Sequence, residues 1–308
     1  MMIGYAAQQV INGLQVAAFY SLLAVSYVLI HAITRRINFA FGALSILAGY
    51  TFINATQWIM LERPGAMISA VLLAALIAIP HASLAGVATE ALVVRPVVRE
   101  SSLAVLVTTL GLSVVLEELT RLTNDSRERW LSPMFAEPYV IGAASSAFKV
   151  YITPVQLAVI VIAFALASGL VLFIARSDFG RHWRAASQDL RMAELCGIDI
   201  GRTLRLTYLI AIAFAATSGV LVALLYGVAS YSGGFVIGLK TLFIAIVGGL
   251  GSIPGTFAAA ILLAFFETCW SASAGPEYRD VAAFLALTAL MILFPRGIFD
   301  RESATEPV

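Results

Sequence analysis

Residues 176–205 read RSDFGRHWRAASQDLRMAELCGIDIGRTLR, a charged island between long apolar runs. Arg176, Asp178, Arg181, Arg184, Asp189, Arg191, Glu194, Asp199, Arg202 and Arg205 all fall inside it. Holding even eight such charges at mid-bilayer would cost roughly 20 kcal/mol, at about 2.5–3.5 kcal/mol each. The island therefore sits in water, and the runs on either side of it read as membrane spans.

Composition agrees. The chain of 308 residues is 60% hydrophobic and 12% charged, with a mean hydropathy of +0.93. Soluble domains are about a quarter charged, so this is a polytopic membrane protein. A net charge of +1 points to no nucleic acid and no acidic substrate. Cys196 and Cys269 lie far apart, with no CxxC spacing, and give neither a disulfide framework nor a zinc site. No metal cluster is expected. The start, MMIGYAAQQ, lacks a basic region and a small-residue cleavage site, so the first apolar run reads as a retained span.

Apolar windows of about 20 residues mark spans near 9–33, 37–60, 66–89, 102–122, 152–175, 205–229 and 281–295. Residues 239–270, LKTLFIAIVGGLGSIPGTFAAAILLAFFETCW, read as two apolar arms around a Gly/Pro break. Each arm has about 14–16 residues and rises about 21–24 Å, short of a core about 30 Å thick. The arms are either two short tilted spans or a hairpin that enters and returns. The expected fold is an all-α polytopic membrane helix bundle of about eight spans, seven plus this broken pair. It forms one transmembrane domain over 1–308, with a cytoplasmic segment at 176–204.

Arginine placement orients it. The connections on the island's side carry Arg35, Arg36, Arg95, Arg99 and the six island arginines, and the tail adds Arg296 and Arg301. The opposite side holds Arg63, Arg121, Arg127, Arg129, Lys149, Lys240 and Arg279. Twelve against seven puts the island and the C-terminus in the cytoplasm and the N-terminus outside.

Within the island, Ala186, Leu190, Ala193 and Gly197 share a helical face, and Gly197 with Ile198 is placed to end a helix. The segment reads equally as a plain amphipathic loop or a docking helix. Inside the spans, Asn12, Tyr20, Tyr27 and His31 fall in a sector of about 100°. Thr109, Ser113, Glu117 and Thr120 share a second face. Such faces are helix–helix glue or a polar pathway. INFAFG at 37–42 and GGLGSIPG at 248–255 are Gly-bearing breaks entering apolar runs, a weak internal echo. The latter lacks the third glycine of a dinucleotide loop and reads as irregular backbone in the membrane. His31, His81 and His182 are isolated, HExxH and GxSxG are absent, and no Gly-Lys pair exists for a Walker A loop. If ATP drives this protein, another chain binds it.

Several motifs, in order, resemble the permease subunits of branched-chain amino acid ABC importers, closest to the LivH type. Asn12-Gly13 opens the first span as in that family. INFAFG resembles its INFAHG, and Glu90 with Arg95-Pro96 its E-x4-RP element. FGRHWRAASQDLRMAELCGI at 179–198 resembles GRAxRAxAEDxxxAxxxGI. GLKTLFIAIVGGLGSIPG at 238–255 resembles GxKAFxAAVLGGxGSIPG, and EYRD at 277–280 and PRGIF at 295–299 resemble EYKD and PxGIL. The match runs nearly end to end.

The resemblance implies a bacterial inner-membrane importer subunit, not an enzyme, working with two cytoplasmic ATPases, a second permease of LivM type and an extracytoplasmic binding protein. ATP would sit on the partners; this chain would bind no cofactor. The coupling helix falls on 184–197, with Arg184, Ala185, Asp189, Ala193 and Gly197 matching the motif. Asn12, Tyr20, Asn38, Phe41, Gly42, Thr109, Ser113, Gly248, Gly249, Gly251 and Pro254 would line the path. Two positions depart: Phe41 replaces the motif histidine and Gln188 the glutamate before Asp189. Phe41 keeps open a related importer for urea, amides or aromatic acids. A stand-alone ion-coupled transporter fits less well, because mid-span ionisable residues are scarce.

Overall fold

A computed structural model describes residues 2–63, 65–97, 101–132, 137–141, 149–294 and 297–298. The chain runs α1 (Met2–Thr34), α2 (Ala40–Glu62), α3 (Met67–Thr89), a π-helical turn (Glu90–Val94), α4 (Arg95–Val97) and α5 (Ser102–Thr123). Strands β1 (Arg129–Trp130), β2 (Tyr139–Ile141) and β3 (Val150–Ile152) follow, then α6 (Pro154–Arg176), α7 (Asp178–Gln188), α8 (Leu190–Leu195) and α9 (Ile200–Tyr226). Strand β4 (Val228–Ala229) leads to α10 (Gly234–Gly248), α11 (Ile253–Ala274) and α12 (Arg279–Leu293).

Local chemistry sets these ends. Thr153 and Gln156 close a capping box on α6 with Pro154 in its first turn. Ser101, Asp199 and Ser252 cap α5, α9 and α11. Pro96 has no N–H to give to the carbonyl of Leu92, and the α3 ladder passes through the π turn just ahead of it.

Six helices among the described residues are long and apolar enough to cross a membrane: α1, α3 with its extension, α5, α6, α9 and α11. Helix α2 has 23 residues, and α10 and α12 have 15 each. The all-α membrane bundle is as expected, with its break between Gly248 and Ile253. The two arms are unequal, however. Helix α11 has 22 residues and rises about 33 Å, enough to cross. Helix α1 begins at Met2, so Asn12-Gly13 lies inside it rather than opening it. The sequence window began where hydropathy rises, but polar Gln8 and Gln9 still hold helical geometry.

The bundle has two ends. At the ribbon end, β2 pairs with β3, and β1 with β4. Gln8 near the start of α1 exchanges two hydrogen bonds with the Tyr151 backbone there, at 3.1 and 2.9 Å. At the island end, the Arg35 side chain donates to the Ser187 carbonyl at 3.0 Å, and Arg36 reaches Ser102.

Helix α1 is central, with α11, α9, α6 and α10 around it. Ala17, Ala18, Leu22, Leu23, Ala24 and Val25 on it are fully buried. Helix α3 turns Ala70, Ala74, Ala78 and Ala82 inward, a stripe of small residues that lets helices approach closely. Its opposite side leaves Ile68, Leu72, Leu76 and Leu84 exposed, as a lipid-facing surface requires.

Helices α2 and α10 both begin inside the bundle. The chain enters from the island end at 35–39 and from the ribbon end at 230–233. The two helices then start side by side and run oppositely: Phe39 lies against Gly238, and Gly42 and Ala43 against Gly234. A Cβ on Gly42 would overlap the Gly234 carbonyl, so this approach requires glycine. The segment that meets INFAFG is thus the start of α10 at 234–238, while GGLGSIPG, the other half of the sequence echo, lies elsewhere.

Candidate functional site

The island does not fold as one docking helix over 184–197. Asp189 is extended, at φ −150° and ψ 114°, and its carboxylate accepts from the N–H groups of Arg191 and Met192 at 2.8 and 3.1 Å. It ends α7 and starts α8, so the expected Ala186–Leu190–Ala193–Gly197 face is split. Ala186 and Ala193 are buried within the protein's own core together with Trp183. Trp183 Nε1 donates to the Leu29 carbonyl of α1 at 3.0 Å, and Arg184 reaches the Ile174 carbonyl. Ala185 packs half-buried against the same core. The small residues therefore seat the island on the bundle. The outward surface carries Leu190, Met192 and Leu195 instead, the last 81% exposed. Gly197 ends α8 in the left-handed region at φ +84°, with Ile198 N–H bonded to the Ala193 carbonyl at 3.1 Å, the cap its sequence indicated.

The proposed path residues separate into three groups. Asn38, Phe41, Gly42, Thr109 and Ser113 come together where α2 and α10 begin. Asn38 Oδ1 accepts from Ala40 N–H at 2.9 Å, and Thr109 Oγ1 accepts from Phe39 N–H at 3.3 Å. Phe41 is buried edge-on to Tyr27, at 6.0 Å between ring centroids. Ser113 is fully buried. One turn further along α5, Glu117 accepts the Phe235 N–H at 2.9 Å, placing a carboxylate at the positive end of α10. A void of about 10 Å³ between Asn38, Phe41, Glu90 and Tyr208, near the size of one water, lies on the side of Phe41 that faces α3 and α9.

Gly248, Gly249, Gly251 and Pro254 form the α10–α11 turn instead of a lining. Gly249 has φ +93° and Gly248 packs against the Thr256 backbone, while Gly251 and Pro254 are exposed.

Asn12 and Tyr20 belong to a third group that sequence reading missed. Lys240, placed from sequence in an outer connection, is 3% exposed inside α10. Its Nζ lies 2.7 Å from Glu267 Oε1, 2.8 Å from Asp280 Oδ1 and 3.1 Å from the Tyr20 hydroxyl. Tyr20 in turn donates to Glu267 Oε2 at 2.9 Å. Glu267 is 1% exposed, so the bundle interior holds an ionisable pair that the sequence reading had not placed there. The cluster is satisfied on all sides, as burial of charge demands. The signal was Lys240 and Glu267 embedded in otherwise apolar arms.

Above this cluster a cleft of about 360 Å³ opens at the ribbon end, lined by Tyr5, Gln9, Asn12, Val16, Glu267, Thr268, Ser271, Ala272 and Arg279.

Comparison with known proteins places this geometry. The family model for the branched-chain amino acid transport system permease component matches residues 9–294. The chain is 33% identical over 300 residues to the high-affinity branched-chain amino acid transport system permease protein LivH of Escherichia coli (strain K12), covering 96% of each. The same identity and coverage relate it to LivH of Salmonella typhimurium. It is 35% identical over 297 residues to the corresponding BraD protein of Pseudomonas aeruginosa, covering 96% of this chain and 95% of that one. A membrane bundle matched over nearly its whole length in this way belongs to the family of branched-chain amino acid transport system permease components, a transport subunit and not an enzyme.

Proposed function

We propose that the chain forms the translocation path for branched-chain amino acids in an ATP-driven importer of a bacterial inner membrane. The ribbon end and the N-terminus face outside; the island and the C-terminus face the cytoplasm. The observation that carries this reading is the end-to-end match to relatives named for branched-chain amino acid transport.

Two cytoplasmic ATPases bind ATP and dock on the exposed Leu190, Met192 and Leu195 of α8. Arg184, Ala185, Asp189, Ala193 and Gly197 shape that platform, while Trp183 ties it to α1. A second permease chain of LivM type completes the membrane unit, and a binding protein delivers substrate to the ribbon end. The path closes where α2 and α10 start, around Asn38, Phe41, Gly42, Thr109 and Ser113. Movement of the island tilts α1 and parts those two helix starts. The ligand drives the cycle only to the extent that it binds the open and closed forms differently.

The test is uptake by the reconstituted complex across a panel of leucine, isoleucine, valine, urea, short amides and aromatic acids. Uptake led by the three branched-chain amino acids supports the reading. Uptake led by another solute would assign the path to that solute and make Phe41 the first position to exchange for histidine.

A further inference from the structure

The ribbon-end cleft holds one cation with open donors. Arg279 begins α12 and is 46% exposed. Its Nε lies 3.4 Å from Asp280 Oδ1 and 3.8 Å from Glu267 Oε2. The terminal nitrogens of its guanidinium make no hydrogen bond to any described residue. Lys240 contrasts with it: all three of its donors are engaged and it is buried. Arg279 is thus free to take a planar two-oxygen anion, the geometry a guanidinium matches best.

The rest of the cleft offers the complement. Glu267 lies at its floor, and Gln9 and Asn12 add side-chain oxygens on the α1 wall. Val16, Ala272 and the ring of Tyr5 give apolar surface beside them. The volume of about 360 Å³ falls at the small end of small-ligand sites, roughly 300–1,000 Å³. The lining therefore combines a cation, side-chain oxygens of Gln9 and Asn12 and an apolar wall within one small cleft, over a Glu267 already paired with Lys240.

We infer that this cleft is an entrance subsite for zwitterionic α-amino acids, with Arg279 holding the carboxylate and the side-chain oxygens of Gln9 and Asn12 facing the ammonium. The assignment rests on the transport reading above. It places first contact with the permease at the start of α12, away from the closed meeting point of α2 and α10. Bound ligand would draw Arg279 off Asp280 and Glu267, at the edge of the cluster that joins α1, α10, α11 and α12.

The experiment uses the complete transporter in nanodiscs, with its ATPases and without the binding protein. Radiolabelled leucine binding is competed with unlabelled leucine, with leucinamide, which lacks the carboxylate, and with 4-methylpentanoate, which lacks the ammonium. Arg279→Gln and Arg279→Lys are compared with wild type. The expected result is that Arg279→Gln weakens leucine about tenfold and leaves leucinamide nearly unchanged, while Arg279→Lys retains most of the affinity. Equal weakening of leucine and leucinamide would mean a structural role and overturn the subsite. So would unchanged leucine binding in Arg279→Gln, or no binding to a wild-type complex that transports leucine once the binding protein is added. A complex that transports no branched-chain amino acid even then overturns the functional reading instead.

Discussion

Lys240 and Glu267 meet at 2.7 Å in the interior of the bundle, one on α10 and the other on α11, and both are almost wholly withdrawn from solvent. Removing one partner strands the other. Lys240→Met is expected to cost about 3–5 kcal/mol and lower the unfolding temperature in detergent. The double change Lys240→Met with Glu267→Leu is expected to restore part of that loss. A double variant as unstable as the sum of the two single changes would show that the pair is not coupled.

The contact between Gly42 and Gly234 is made of main-chain atoms. Gly42→Val is expected to push α10 away from α2, costing about 1–3 kcal/mol or more, and to abolish uptake. Gly111 on α5 is the control, because nothing lies within 4 Å of its missing Cβ. Gly111→Ala is expected to match wild type or gain up to about 1 kcal/mol. Thermal unfolding and uptake, measured on both, separate a steric effect from loss of glycine as such.

The docking surface is expected to depend on outward side chains of α8. Leu195→Asp should leave the permease inserted and equally stable, since Leu195 touches little of its own chain, yet abolish co-purification of the ATPases. Gly197→Arg should weaken docking as well, with a further cost of about 1–2 kcal/mol for a side chain at φ +84°. Wild-type ATPase recovery from both variants would move the docking surface elsewhere.

Asp189 caps α8 with two hydrogen bonds. Asp189→Ala is expected to cost about 1 kcal/mol, and Asp189→Asn only a few tenths. Hydrogen exchange at the α8 amides should quicken in the first variant and not in the second.

The long apolar helices, the break at 248–253 and the charged island between α6 and α9 were legible because hydropathy and charge are local signals. The split at Asp189 was harder to read. RAASQDLRMAEL is made mostly of good helix formers, and the side-chain cap of Asp189 is what restarts the helix. The inward use of Ala186 and Ala193 depended on Trp183 finding a carbonyl 154 residues away in sequence. Lys240 looked like a loop cation because its partners, Tyr20, Glu267 and Asp280, come from three other helices. The short ribbons had no periodicity to detect, being two or three residues long, and β1 pairs with β4 from a distant segment. Arg279 and the cleft were missed because they arise from tertiary placement alone.

Helix α1 leaves the ribosome before the other described helices, yet it ends as the most enclosed of the long apolar helices. Tyr20 bonds Glu267, 247 positions later, and Gly13 packs under Phe265. Until the last third of the chain is made, α1 has only lipid or provisional neighbours for these surfaces. Consolidation is therefore late and of high contact order, the slow regime of assembly. A nascent chain stopped before α11 would carry a central rod without its sheath, and quality control in the membrane would meet that intermediate on every round of synthesis.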